Sequence, residues 1–470
     1  MKASMSASAS AATGPALVGA DAARRTRVRI LIVLMLFAAT TINYADRATI
    51  SIAGPDMARE LGLTPVQMGY VFSAFAWSYV LAQIPGGWLL DRFGVKWVYA
   101  AAIALWSGFT LVQGAIGFFT GLTAVVMLFA LRLAVGLTEA PVFPANARIV
   151  AAWFPTRERG MASAFFNSAQ YFATVLFTPL MAWIVHRFGW HHVFTSMGVL
   201  GIAFALLWLQ VIDSPRRHPM MNEAERDYIE AGGALLDMDG RETRKPGQIA
   251  GGHVGGTHVG GTHVGRTLRQ LLANRMLLGI YIGQYCITVL TYFFLTWFPV
   301  YLVKERGLSI LQAGFAAVLP ALCGFIGGIL GGVISDILLR RGYSLTAARK
   351  IPIVGGMLLS MSIIGCNYVQ ADAVVVGLMA LAFFGKGIGA LGWAVVSDTS
   401  PRESGGLSGG LFNTFGNTAG ITTPIAIGYI VQTTGSFNGA LVFVGLNALV
   451  ACICYLVVVG EIRRVELNGA

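Results

Sequence analysis

Five ionisable side chains stand in stretches that are otherwise apolar: Asp46 and Arg47 in NYADR, Arg132 and Glu139 in MLFALRLAVGLTEAP, and Lys386 in FFGKGIGALGW. A charge in hydrocarbon costs several kcal/mol or more, so it usually faces a cavity and has work to do. Asp46 beside Arg47 reads as a proton site next to an anion site, or as a pair lying at the lipid–water boundary near the outer end of a first helix. Asn43, one turn before Arg47 on the same face, and the hydroxyl of Tyr44 favour the cavity. Arg132 and Glu139 are seven residues apart, and seven steps of about 100° return to nearly the same helix face. They either point into one chamber or form a permanent structural salt bridge. A buried glutamate without a full counter-charge can load and release protons near neutral pH. Lys386 can attract an anion, act as a gate, or pair with a carboxylate for stability. Trp393, seven residues on, is expected on the same face as Lys386.

Uncharged polar groups add to this set. Tyr79, Asn167, Gln170, Asn413 and Asn417 sit in apolar runs. Each alone is more often helix-packing glue than a ligand contact, but together they favour a polar central cavity. Asp91 with Arg92, and Asp336 with Arg340, fall at helix ends and read as gating or stability elements between helices. No nucleophile–base or metal constellation accompanies these groups, so an enzyme is not expected. The five cysteines lie in apolar runs and suggest neither a disulfide framework nor a zinc site. His253, His258 and His263 recur every five residues in GGHVGGTHVGGTHVG. A metal-binding tract remains open there, although the glycine content favours a flexible linker. No cofactor is expected.

The elements that must position these residues follow from composition. Of 470 residues 56% are hydrophobic and 12% charged, with a mean hydropathy of +0.68. Soluble domains carry about 25% charged residues, so the solvent of this chain must be lipid. Twelve stretches, among them those near 28–50, 121–149 and 373–398, are long enough for the roughly 20 residues a spanning helix needs. The reading is an all-α membrane protein of two six-helix bundles: residues 27–212 and 273–462, separated by a polar linker at 213–272. Residues 1–26 read as a disordered tail with no cleavable signal pattern, and 463–470 as a second tail. The two halves echo each other at an offset of 245, from Gly87–Asp91 to Gly332–Asp336, from Arg157-Glu158 to Arg402-Glu403, and from Pro179 to Pro424. The net charge of +11 concentrates in alternate loops, which places both termini and the linker in the cytoplasm rather than implying nucleic acid. A membrane-embedded sensor would need a soluble output domain, and none is evident.

The motifs then carry a resemblance. GGWLLDRFGVK and its second-half echo resemble the signature loop of the major facilitator superfamily. NYADRATISIA, FSAFAWSYVLAQIPGGWLLDRFG, EAPVFPANARIVAAWFPTRERG and FNSAQYF resemble its anion:cation symporter family. VLPALCGFIGGILGGVISD, LMALAFFGKGIGALGWAVVSDTSP and ICYLVVVGEIRRVEL are most similar to its glucarate/galactarate transporters. The resemblance runs from about residue 27 to 467. It implies a proton-coupled, monomeric symporter of the inner (plasma) membrane that imports a sugar-acid anion by alternating access. A galactonate or hexuronate symporter, another organic-anion carrier and an exporter of the same fold are the alternatives. It implies Asp46 and Glu139 as proton-coupling carboxylates, Arg47 as the substrate-carboxylate contact and Arg132 as the partner near Glu139. Tyr44, Tyr79, Gln170, Trp393 and Asn413 match substrate-pocket positions. Lys386 is not in the matched set, and its candidacy rests on burial alone.

Overall fold

A computed structural model describes residues 25–238, 261–401 and 404–466, apart from the side chains of residues 84 and 261–264. Most of the expected N-terminal tail, His253, His258, the side chain of His263 and the Arg402–Glu403 echo lie outside the described residues. No strand occurs among those described. The helices are α1 (Val28–Leu61), α2 (Pro65–Phe93), α3 (Val95–Gln113), α4 (Gly121–Glu139), α5 (Val142–Trp153), α6 (Arg159–Phe188) and α7 (His191–Val211). A short α8 (Glu223–Ala231) follows, then α9 (Gly261–Ala273), α10 (Arg275–Tyr292), α11 (Phe298–Lys304), α12 (Ile310–Ala316), α13 (Val318–Arg340) and α14 (Leu345–Ser360). The chain ends with α15 (Asp372–Ile388), α16 (Gly392–Thr399), α17 (Gly405–Thr434) and α18 (Asn438–Ile453).

Among the described residues, ten helical segments are long and apolar enough to cross a membrane. Helices α2 and α17, of 29 and 30 residues, match that length with more glycine and polar side chains. The helix expected over 28–50 runs on through Pro55 to Leu61, where Gly62 adopts the left-handed conformation (φ 67°) that ends it. Asp46 and Arg47 therefore sit mid-helix, not near its outer end. The single helix expected over 121–149 is two, α4 and α5, joined at Ala140 and Pro141; proline has no N–H to continue the hydrogen-bond ladder. The helix expected over 373–398 also breaks, at Gly389–Leu391, between α15 and α16.

Helix pairing repeats along the chain. In the first part α1 packs on α6, α2 on α4 and α3 on α7; in the second α10 packs on α17, α13 on α15 and α14 on α18. The two parts meet through α2 on α17, α6 on α12 and α13, and α1 on α11. Part of the polar stretch after α7 is docked rather than loose. Glu225 on α8 is fully buried and accepts hydrogen bonds from Thr26 Oγ1 (2.7 Å), the Val28 amide (3.0 Å) and Arg29 Nη1 (3.1 Å). Lys96 and Asp213 close a second link at 3.0 Å.

One end of the α2–α17 contact is sealed by backbone. A Cβ on Gly69 would stand 2.5 Å from the Pro424 carbonyl oxygen, and one on Gly428 would stand 2.6 Å from that of Pro65. The Val66 amide donates to Gln432 Oε1 there at 3.1 Å, and the Tyr70 and Tyr429 hydroxyls lie 3.5 Å apart. Next along α2, Phe72 packs edge-on to Trp297 at 5.2 Å between ring centroids. Gly69→Val should hold this end open. In a background without native cysteines, it should speed reaction of an impermeant thiol reagent with a cysteine at position 72 by about tenfold, the effect of about 1.4 kcal/mol. An unchanged rate would mean that the glycine contact does not hold the seal.

Candidate functional site

The close approach of α4 to α2 builds the site. Gly136 lies between Arg132 and Glu139, and a Cβ there would come within 2.2 Å of the Phe75 carbonyl oxygen. Only glycine lets the helices meet so closely, and the meeting presses both charged side chains of α4 toward α1. The result differs from the salt bridge considered between Arg132 and Glu139. Glu139, fully buried, accepts instead from Arg47 Nε on α1 at 2.8 Å. The Arg47 guanidinium is enclosed by aromatic faces, 4.5 Å from the Phe75 centroid, 5.0 Å from Tyr79 and 5.1 Å from Tyr44. Arg132 also lies over the Phe75 ring, 5.6 Å from its centroid.

Asp46 is also buried, and its Oδ2 accepts from Thr110 Oγ1 on α3 at 2.8 Å. Around this ring several polar atoms have no hydrogen-bond partner: Asp46 Oδ1, Arg47 Nη2, Glu139 Oε1, Arg132 Nε and Nη1, and both amide atoms of Asn43. A buried unmet polar group costs about 1–3 kcal/mol, more if charged. Their concentration in one place marks a region built to receive water, protons or a polar ligand.

A polar chain leads from the ring across to the second part of the protein. Gln83 Oε1 on α2 accepts from Asn413 Nδ2 on α17 at 3.0 Å, Asn417 Nδ2 donates to Asn413 Oδ1 at 3.1 Å, and the Tyr292 hydroxyl donates to Asn417 Oδ1 at 3.2 Å. Beside it lies a cavity of about 70 Å³ lined by Tyr44, Gln170, Tyr171, Thr291 and Lys386, among others. That volume holds a few waters, so the helices must part to admit a larger molecule.

The structure thus brings Asp46, Arg47, Arg132, Glu139, Tyr44 and Tyr79 together, and joins Asn413, Gln170 and Lys386 to the adjoining cavity or chain. Trp393 is not on the Lys386 face: the break at Gly389–Leu391 resets the helix register. Its ring is 56% exposed and packs edge-on to Phe412 at 5.0 Å. The Asn167 side chain is exposed, bonded to the Ser163 carbonyl of its own helix at 2.8 Å. Asp91 receives Arg148 Nη2 from α5 at 2.5 Å, Arg92 lies over Trp88 and Phe93, and Asp336 is exposed. These lie away from the buried ring. Among the described residues no group of three or more His, Cys, Asp or Glu could hold a metal. Thr110, Phe75, Gln83 and Tyr292 are site neighbours that the sequence reading omits. A lone Thr or Gln in an apolar run was the available signal for two of them; Phe75 carries none.

Removing one member of a buried ion pair leaves the other charge unmatched, at about 3–5 kcal/mol. Arg47→Met alone should therefore lower the detergent melting temperature sharply, and Arg47→Met with Glu139→Leu should recover most of the loss. Equal losses in the single and double variants would show that the two groups are not energetically coupled.

The family model for the Major Facilitator Superfamily matches residues 36–366. A probable galactarate/D-glucarate transporter of Bacillus subtilis (strain 168), GudP, is 62% identical over 447 residues, covering 95% of each chain. The D-galactonate transporter of Escherichia coli O6:H1 (strain CFT073) is 42% identical, covering 95% of this chain and 99% of its own. Among solved structures, a bacterial homologue of the human lysosomal transporter Spinster, inward-facing and unoccupied, superposes with a TM-score of 0.66. It shows 17% identity and covers 92% of this chain and 96% of its own. With long apolar helices and a buried charged ring between them, the chain is an integral membrane transporter, not an enzyme, and belongs to the major facilitator superfamily.

Proposed function

We propose that this protein imports a sugar-acid anion, glucarate or galactarate, together with protons across the inner (plasma) membrane. The observation that carries this reading is the 2.8 Å bond between Arg47 and Glu139. It makes the cation suited to a carboxylate the same cation that a protonatable carboxyl occupies. The substrate choice draws on the 62% identity to a probable galactarate/D-glucarate transporter, against 42% to a galactonate transporter.

The chain would fold as twelve spanning helices in two six-helix bundles, 27–212 and 273–462. Clustered Arg and Lys at one end support a cytoplasmic position for both termini and the linker. Nothing in the reading requires more than a monomer. The sealed α2–α17 end then faces outward.

A dianionic acid meets a potential, negative inside, that opposes entry by roughly 2.3 kcal/mol per charge per 100 mV, or about 4.6 kcal/mol for two charges at that potential. Protons on Asp46 and Glu139 offset this. Protonation of Glu139 weakens its hold on Arg47, whose paired N–H donors then fit a substrate carboxylate. A proton on Asp46 removes a second negative charge from the ring, while Thr110 keeps that carboxyl in place. Tyr44, Tyr79, Gln170 and Asn413 read hydroxyl groups, and the hydrogen bond between Gln83 and Asn413 reports the approach of the two bundles. Trp393, exposed beside Phe412, would act along the exit path rather than in the seat. Asp91 with Arg148, Arg92 and Asp336 would brace the cytoplasmic helix ends during the rocking motion.

Each coupled proton adds about 1.4 kcal/mol per pH unit, roughly tenfold in accumulation. Proteoliposomes with an imposed inward proton gradient should concentrate labelled glucarate, and an uncoupler should abolish the accumulation. Asp46→Asn and Glu139→Gln should keep counterflow exchange and lose the gradient-driven accumulation. Normal accumulation in both variants would defeat the coupling scheme, and preferential competition by galactonate or glucuronate would reassign the substrate.

A further inference from the structure

Among the charged side chains buried in the long helices there are two carboxylates, Asp46 and Glu139, and three cations, Arg47, Arg132 and Lys386. The first four lie together on α1 and α4. Lys386 stands apart on α15, 7% exposed, with no ion pair to a carboxylate among the described residues. Its ammonium lies 5.1 Å from the Phe383 ring centroid. The residues flanking it are locked by backbone contact: a Cβ on Gly385 would come within 2.4 Å of the Gly356 carbonyl oxygen on α14, and one on Gly387 within 2.3 Å of that of Gly324 on α13. The backbone around Lys386 is therefore held on two sides, and its side chain lines the cavity that Tyr44 and Gln170 line from the first part of the protein. Tyr44 also stacks on Arg47. The cavity is thus bordered by one uncompensated cation from the second part and lies one aromatic ring from an anion-seeking cation of the first.

We infer that Lys386 is the contact for a second carboxylate, so that the site selects diacids by holding one end on Arg47 and the other on Lys386. An isolated buried ammonium is costly in a membrane protein and usually faces its counter-ion or a pathway. Here the missing counter-charge comes with the cargo. Lysine suits the role because it presents a compact charge on a flexible stem, which can follow the far end of an open-chain acid as the cavity widens. A monoacid satisfies Arg47 and leaves Lys386 unmatched, so the same residue that welcomes the diacid penalises its one-carboxylate analogue. The bound diacid would link the two bundles through opposite ends.

This inference rests on the sugar-acid reading, and equilibrium binding to the purified full-length protein separates the two. Dissociation constants for glucarate and for galactonate, which has a single carboxylate, are measured for wild type, Lys386→Gln and Lys386→Met. The methionine variant keeps the apolar stem against Phe383 should the glutamine variant fail to fold. The expected result is a roughly tenfold to hundredfold loss of glucarate affinity, the range of a hydrogen bond to a charged group, with galactonate affinity unchanged or improved. Wild-type protein that binds no glucarate would overturn the sugar-acid reading and this inference with it. Wild-type binding of glucarate that survives both substitutions, or that falls in proportion with galactonate, would overturn this inference alone.

Discussion

The ion pair between Arg47 and Glu139 is the constraint on which the rest of the arrangement turns. Two opposite charges at 2.8 Å, almost wholly removed from solvent, are stable only while each has the other or an equivalent substitute. A carboxylate-bearing molecule is such a substitute for Glu139, and a proton is the natural substitute for Arg47. On the proposed reading, the pair would convert two separate events, anion arrival and proton arrival, into one exchange of partners. The aromatic rings of Tyr44, Phe75 and Tyr79 enclose the guanidinium and hold it in place.

Placing the pair required backbone geometry more than side-chain chemistry. Gly136 brings α4 against α2 at Phe75, which carries Glu139 across to α1. A larger residue there would separate the helices and leave the carboxylate short of its arginine. The repeated pairing of helices in the two parts of the chain supplies the frame, and the polar chain from Gln83 through Asn413 and Asn417 to Tyr292 connects the frame's two parts at the level of the site.

The sequence alone revealed the ionisable residues because an apolar context makes them conspicuous: Asp46, Arg47, Arg132, Glu139 and Lys386 could each be named from hydropathy and cost. Helical content and membrane class were legible for the same reason. Partner choice was not. Periodicity reports which residues share a face within one helix, so it placed Arg132 and Glu139 on one side of α4 and left open whether they pair, whereas contacts between α1 and α4 decide that Glu139 meets Arg47. Periodicity also failed at Trp393, because three residues at Gly389–Leu391 interrupt the helix and reset the register. Phe75 was invisible because a phenylalanine in an apolar run is ordinary until its neighbour across the interface is known, and the lone hydroxyl of Thr110 was too common a signal to single it out. Composition marked the stretch after α7 as a polar linker and could not show that Glu225 within it is fully buried.

That buried Glu225 has a consequence for how the molecule is made. It satisfies the first amides of α1 and the Thr26 hydroxyl, yet it lies 197 residues downstream of Val28. As the chain emerges from the ribosome, N-terminal segments settle first. The opening turn of the first membrane helix must nonetheless wait without its cap until some two hundred residues have been synthesised. Completion of this first part of the protein is in this sense signed from its far end, and a nascent chain stalled before α8 would carry an unfinished first helix however well its remaining helices had inserted.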